Sequence, residues 1–211
     1  MLNIGVLVSG SGTNLQAIID ALNDGRISNA CIKTVISDRP DAFALIRASN
    51  YNIPCSVINR KSPGFDEALK AELIRHNVDL IVLAGFLSIL GKSLLECYPD
   101  KIINVHPSLI PSFCGKGFYG LKVHEEAIKY GVKVSGATVH FVNEEPDGGA
   151  IIMQKTVQVF DNDAPEALQK RIMKEAEHLI LPEVINLIAN NRIVVIGRKV
   201  IIDREKKSFT N

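Results

Sequence analysis

Short apolar runs alternate with amphipathic helical segments through the first half of the chain. The predicted strands are residues 2–8, 31–36, 55–58, 80–84 and 102–106. The predicted helices between them are residues 13–22, 41–49, 65–73 and 89–97. Such an alternation predicts a parallel sheet whose strands are joined by right-handed helical crossovers.

The second half of the chain has a different pattern. Residues 107–120 are predicted as a loop, 123–130 as a helix, and 134–142 and 150–160 as strands. The longest helix is predicted at 165–189, and Pro182 is expected to kink or break it. Residues 193–196 and 199–202 flank a two-residue hairpin turn, and 206–211 form a frayed tail. We therefore predict an α/β fold with a doubly wound, mostly parallel, Rossmann-like sheet, a C-terminal long helix and a small hairpin.

Charge and length restrict the possible partners. The 211 residues carry a net charge of +1 and four cysteines without a C-x-x-C pair. Because no basic field is present, we expect no nucleic acid and no membrane as a partner. No basic and apolar leader precedes the first strand, so we expect a cytoplasmic protein. The length fits a single domain over residues 1–211.

A glycine-rich loop, residues 9–14 (SGSGTN), joins the first strand to the first helix. Free backbone N–H groups and the positive helix end suit a phosphate there. Thr13 and Gln16 have the spacing of a capping box. The loop is not a Walker loop, and Leu15 stands where a dinucleotide fingerprint has its third glycine, although Asp38 could imitate the ribose-binding acid. A tight turn without any ligand remains an alternative.

Asn104 and His106 occupy the end of the fifth predicted strand. They are two residues apart, so both side chains leave an extended segment by the same face. His106 could act as an acid or base, and Asn104 could donate an N–H to a developing oxyanion. The alternative is that both merely satisfy backbone groups. Asp147, in a Pro-Asp-Gly-Gly turn, would matter if its loop folds over this strand, where it would raise the pKa of His106.

The remaining polar positions carry weaker signals. Lys174 and Glu177 lie one helical turn apart, which favours a solvent-exposed pair. His140 is assigned a structural role. The histidines are scattered, and His124 lacks the second histidine of a zincin motif, so we predict no metal site.

Four motifs, taken together, resemble the phosphoribosylglycinamide formyltransferases, a family of folate-dependent enzymes of purine synthesis. They are residues 9–14, residues 83–90 (LAGFLSIL), residues 104–111 (NVHPSLIP), and residues 138–142 (TVHFV) with 147–149 (DGG). Their order and separation make the resemblance specific, and it extends over residues 3–189.

The resemblance implies an enzyme that moves the formyl group of 10-formyltetrahydrofolate, its co-substrate, to the amine of glycinamide ribonucleotide. The implied catalytic residues are Asn104, His106 and Asp147. The implied substrate-binding residues are Gly12, Thr13, Asn14, Lys174, Glu175, Ala176 and Glu177, with Glu177 on the ribose hydroxyls. The implied folate-binding residues are Leu87, Ser88, Ile89, Leu90, Asn104, Asn143, Glu144, Glu145, Pro146 and Asp147. No metal is implied.

The resemblance also implies a division of labour along the chain. Residues 1–100 would bind the nucleotide phosphate, residues 101–190 would carry catalysis and folate binding, and residues 191–211 would form the hairpin and tail. We expect a monomer or a weak homodimer. The family often has a folate-contacting arginine where this chain has Asp66, with Arg60 and Lys61 nearby, so that contact is not carried over.

Related and unrelated activities compete with this interpretation. Methionyl-tRNA formyltransferase carries a further tRNA-binding domain, and formyltetrahydrofolate hydrolase carries an amino-terminal regulatory domain; neither is expected here. The missing third glycine disfavours an NAD-binding reductase, and the set of Asn104, His106 and Asp147 disfavours a non-catalytic nucleotide-binding module.

Overall fold

The computed structural model describes residues 1–203, and a seven-stranded sheet with the order β3-β2-β1-β4-β5-β6-β7 is its centre. The strands are β1 Leu2–Val8, β2 Ala30–Ser37, β3 Cys55–Val57, β4 Leu80–Leu83, β5 Ile102–His106, β6 Val134–Phe141 and β7 Ile151–Gln158. Strands β1 to β5 are parallel, and β6 and β7 are antiparallel to their neighbours. The predicted α/β, mostly parallel sheet is confirmed.

Helices connect the parallel strands, as the alternation predicts. The connecting helices are α1 Thr13–Asn23, α2 Phe43–Asn50, α3 Phe65–Arg75 and α4 Lys92–Cys97, and the second half of the chain adds α5 Leu121–Tyr130, α6 Pro165–Ile172 and α7 His178–Ala189. One core cluster lies between the sheet and α1, α6 and α7, and a second lies under α3 and α4. β4 is buried at every position because helices cover both faces of the sheet. No helix within residues 1–203 is long and apolar enough to cross a membrane.

One predicted helix cap and two predicted helix starts are wrong. No side-chain cap precedes α1, which begins after Gly12 in a left-handed conformation, so the Thr13–Gln16 capping box does not form. α2 begins at Phe43, two residues later than predicted, and Asp41, at the predicted start, pairs with Arg39. α4 begins at Lys92, three residues later than predicted, because residues 87–91 form an extended connection held by side chains from other elements.

The long C-terminal helix is continuous but not regular. A π-helical segment, Met173–Glu177, joins α6 to α7, and the helix continues through Pro182 to Ala189. The predicted break at Pro182 is therefore wrong, and the irregularity lies just before it. Such π-helical segments occur frequently at functional sites.

The C-terminal hairpin forms as predicted. β8 Ile193–Ile196 pairs antiparallel with β9 Lys199–Ile202 around Gly197 and Arg198. The predicted tail at 206–211 lies outside the described residues.

Gly136 allows β6, β7 and the loop after β5 to approach closely. A β-carbon at this position would overlap the carbonyl oxygen of Lys155 and lie 2.8 Å from Leu109 Cδ2. We expect Gly136→Ala to lower the free energy of unfolding by about 3 kcal/mol, the upper end of ordinary overpacking costs, because backbone atoms must shift. Chemical denaturation measures this loss. Gly10→Ala is the control, since its β-carbon would meet no atom within 4 Å; equal stabilities of the two variants would contradict the prediction.

Candidate active site

Asn104 and His106 lie at the carboxyl end of β5, opposite His140 and Thr138 on β6. His140 Nδ1 donates to the carbonyl oxygen of Phe141 at 2.7 Å, so the other ring nitrogen, Nε2, is free to accept. It accepts the amide N–H of Asn104 at 3.1 Å. His140 therefore fixes the orientation of the Asn104 amide and leaves its second N–H available. The sequence interpretation missed this function, although the two-residue spacing of Thr138 and His140 indicates that both side chains lie on one face of the sheet.

The His106 imidazole is buried and contacts protein groups through both nitrogens. Nε2 donates to the carbonyl oxygen of Phe113 at 2.9 Å, and Nδ1 lies 3.5 Å from Asp147 Oδ2. Burial lowers the pKa of His106, and the negative charge of Asp147 and the hydrogen bond to Phe113 offset this only in part. Asp147 acts on the pKa of His106 in the expected direction, but the net pKa is lowered because the cost of desolvating the imidazolium exceeds the attraction of a carboxylate 3.5 Å away.

Asp147 lies between the two imidazoles. Its Oδ2 accepts the backbone N–H of Gly115 at 2.7 Å, and its Oδ1 lies 3.5 Å from His140 Nε2. Burial raises the pKa of Asp147, but the neighbouring His140 and His106 imidazoles and the backbone N–H of Gly115 outweigh it, so the net pKa is lowered. The structure thus brings the Asp147 loop over the end of β5 and keeps the carboxylate ionised.

Backbone conformation makes this placement of Asp147 possible. Its own φ is 56°, a left-handed value that aspartate tolerates better than most residues. A β-carbon on Gly149 would overlap the carbonyl oxygen of Phe141, and one on Gly148 would lie 2.6 Å from the Glu145 side chain. The tight return of this loop to β6 therefore requires the two glycines, Gly148 and Gly149.

The glycine-rich loop approaches α2 and the π-helical segment. Gly12 has a φ of 72°, and a β-carbon there would lie 2.6 Å from Ala44 Cβ. Arg47 on α2 supports the loop by donating from Nε to the carbonyl oxygen of Ser11 at 2.9 Å. Thr13 Oγ1 lies 3.1 Å from Met173 Sδ, so the loop contacts the start of the π-helical segment.

Glu177 is buried against Asn14, 163 residues earlier in the chain. Asn14 Nδ2 donates to Glu177 Oε2 at 2.6 Å, and burial raises the pKa of Glu177 although this hydrogen bond opposes the rise. The predicted solvent-exposed pair of Lys174 and Glu177 is wrong, because the π-helical segment turns Glu177 inward and leaves Lys174 exposed. Asn14 Oδ1 is buried and has no partner among residues 1–203, so this pair retains an unused acceptor.

The predicted folate-binding residues are divided by burial. Leu87 and Ile89 are 48% and 84% exposed, whereas the Leu90 side chain packs into the second core cluster instead of lining a pocket. Residues 143–146 are exposed, and Glu144 Oε1 lies 3.8 Å from Lys92 Nζ, which connects the loop of Asp147 to the start of α4. Ala176 is buried and Glu175 exposed. Within residues 1–203, no group of three histidine, cysteine or carboxylate side chains could hold a metal ion.

A further buried histidine, His124 on α5, lies near His106. In the described part of the chain neither of its ring nitrogens has a hydrogen-bond partner. Burial, with a smaller effect of the His106 charge, lowers the pKa of His124 to about 4. The sequence offered no signal for this environment, because α5 has an ordinary amphipathic pattern.

The lowered pKa of His124 predicts a loss of stability in mild acid. His124 takes up a proton near pH 6.5 in the unfolded chain but only near pH 4 in the folded chain. The free energy of unfolding therefore falls as the pH is lowered from 6.5 to 4. The shift corresponds to about 3 kcal/mol between those pH values. Chemical denaturation from pH 4 to 7 measures it, and His124→Leu should lose about this much of the pH dependence. Parallel curves for the two proteins would contradict the assignment.

The comparisons with known proteins agree with this geometry. The family model described as "Formyl transferase" matches residues 2–185, so the chain belongs to the formyl transferase family. It is 43% identical over 197 residues to the phosphoribosylglycinamide formyltransferase of Haemophilus influenzae, and the match covers 92% of this chain and 90% of that protein.

Solved structures give the same family. Glycinamide ribonucleotide transformylase 1 from Symbiobacterium toebii superposes with a TM-score of 0.89 at 44% identity, covering 96% of this chain and 94% of that one. A formyltetrahydrofolate deformylase from Pseudomonas syringae is also similar, with a TM-score of 0.85 and 25% identity, over 95% of this chain and 65% of that one. A trifunctional purine biosynthetic protein of Chironomus tentans is 43% identical over 197 residues, but the chain spans 14% of its length.

Proposed function

We propose that the chain transfers the formyl group of 10-formyltetrahydrofolate to the amine of N1-(5-phospho-D-ribosyl)glycinamide, a step of IMP biosynthesis. The observation that carries the proposal is the meeting of Asn104, His106 and Asp147 at the end of β5. The relatives named as phosphoribosylglycinamide formyltransferases support the choice of substrates. We also propose a cytoplasmic enzyme that requires no metal.

The proposed reaction is direct attack of the amine on the formyl carbon. A new C–N bond forms, the carbonyl oxygen becomes an oxyanion, and the bond from carbon to N10 of the folate then breaks as one amine proton passes to N10. The free N–H of Asn104 and the Nε2–H of His106 suit the oxyanion, since a neutral imidazole still donates one hydrogen bond. In this step His106 would release the Phe113 carbonyl, and Asp147 would accept and return the proton.

The two substrates are assigned to two sides of this trio. The backbone N–H groups of Gly12, Thr13 and Asn14 at the start of α1 would hold the phosphate, because the first turn of that helix carries no acidic residue. The buried Asn14–Glu177 pair would meet the ribose, with Lys174 nearby. Residues 87–89 and 143–147 would receive the folate, so the folate site would draw on residues 1–100 as well as on residues 101–190.

Spectroscopic measurement of folate deformylation, with and without the amine substrate, tests the proposal. Formation of tetrahydrofolate that depends on the amine, with one formylated product per folate, is the expected result. Equal rates with and without the amine would overturn it and favour hydrolysis, the activity in the name of the Pseudomonas syringae deformylase. Addition of a chelator should leave the rate unchanged.

A further inference from the structure

The connection between β4 and α4 is held in shape by side chains from three other elements. Ser9, at the end of β1, accepts the backbone N–H of Leu87 on its Oγ at 2.9 Å. Ser88 donates its hydroxyl to Asp38 Oδ2, beyond the end of β2, at 2.6 Å. Asp66 accepts the backbone N–H of Gly91 at 2.9 Å, and a β-carbon on Gly91 would overlap its carboxylate. The connection is therefore a fixed structure even though it is neither helix nor strand.

This fixed connection presents groups that a flat, partly apolar ligand can use. The side chains of Leu87 and Ile89, two residues apart on this connection, are both exposed. Among residues 1–203, the N–H groups of Ile89 and Leu90 have no hydrogen-bond partner. Apolar walls with a few oriented polar groups are typical of small-molecule sites.

The burial of Asp38 costs more free energy than a purely structural role requires. It is 2% exposed, and its Oδ1 is buried without a hydrogen-bond partner in the described chain. A carboxylate with an unsatisfied buried oxygen costs free energy that a neutral acceptor would avoid. Its benefit is a strong acceptor for the Ser88 hydroxyl, since hydrogen bonds to charged groups are shorter and stronger than neutral ones.

We propose that Asp38 is a positioning residue for the formyl donor: by accepting the Ser88 hydroxyl, it holds residues 87–91 in the conformation that binds 10-formyltetrahydrofolate. The proposal rests on the proposed function, because that function makes the folate the ligand of these residues. It adds a residue that contacts no substrate and acts from the end of β2. Within residues 1–203 the hydrogen bonds of Asp38 go to the Ser88 hydroxyl and the Val8 carbonyl, and none goes to residues 12–14, so binding of the amine substrate should not depend on it.

Steady-state kinetics with each substrate varied separately test the proposal. Asp38→Ala and Ser88→Ala should each raise the KM for 10-formyltetrahydrofolate about tenfold, the effect of losing one hydrogen bond to a charged group. The KM for the amine substrate and kcat should stay within about twofold. The double variant should resemble either single variant, because both remove the same hydrogen bond. Asp38→Asn should restore most of the lost affinity, since its amide oxygen accepts the same hydroxyl.

Asp41→Ala is the matched control, because Asp41 lies three residues later, is exposed and pairs with Arg39. An unchanged KM for the folate in folded Ser88→Ala or Asp38→Ala would overturn the proposal. Equal increases in both KM values would also overturn it, since they indicate general loosening of the site. If Asp38→Ala does not fold, Ser88→Ala and Asp38→Asn decide the question. Calorimetric titration with tetrahydrofolate compares the folate affinities of the variants without turnover. It therefore tests this proposal even if the wild-type protein transfers no formyl group.

Discussion

Replacing His106 by alanine is expected to lower the kcat of formyl transfer on the order of 10²–10³-fold, the loss typical of removing one oxyanion donor. The imidazole is fixed at the end of β5, with one nitrogen toward Asp147 and its Nε2–H on a loop carbonyl that a substrate oxygen could replace. Alanine removes the Nε2–H donor of His106, and His140 is then the one imidazole that remains beside Asp147. Because Asn104 still donates to the oxyanion, some activity should remain.

The measurement is single-turnover rate with both substrates saturating, together with the melting temperature of the variant. His76→Ala is the control, since His76 directly follows α3 and pairs with Glu72 on that helix. A His106→Ala enzyme with at least a tenth of the wild-type rate would exclude the imidazole as an oxyanion donor. Unchanged KM values for both substrates would locate the loss in the chemical step.

The sheet and the pairing of Asn104 with His106 could be predicted because both depend on local periodicity. A strand alternates its side chains, so the spacing of these two residues fixes their common face without knowledge of the rest of the fold. The alternation of apolar runs and helices likewise fixes a parallel sheet. In this part of the chain, local preferences and the final structure agree.

The interpretation failed where contacts join distant parts of the chain. Glu177 faces Asn14 because the π-helical segment changes the direction in which the following side chains leave the helix. The spacing rules for a regular α-helix do not include that change. Helix α4 begins late because Ser9, Asp38 and Asp66 hold the preceding residues, and those partners are 25 to 78 residues away. The lowered pKa of His106 depends on burial, which composition and motif do not supply.

Asp147→Asn is expected to reduce kcat on the order of 10²–10⁴-fold, the contribution typical of a positioned proton acceptor. The substitution removes the negative charge of the side chain and keeps its size and shape. Asparagine also tolerates the left-handed φ of 56°, and its oxygen can still accept the N–H of Gly115, so the loop should keep its conformation. What it loses is the negative charge that opposes the lowered pKa of His106 and accepts the amine proton.

The pH dependence separates this function from a purely structural one. Since the pKa of Asp147 is lowered from its ordinary value in the folded protein, the carboxylate stays ionised from pH 5 to 9, and the wild-type rate in that range should show no step from this group. Asp147→Asn should therefore be slow at every pH in the range, with a melting temperature near that of the wild type at pH 7. Turnover near the wild-type level would exclude Asp147 as proton acceptor. Loss of the Asp147 charge lowers the pKa of His106 further. If the rate of the Asn variant recovers in acid, the defect is therefore the failure to protonate His106.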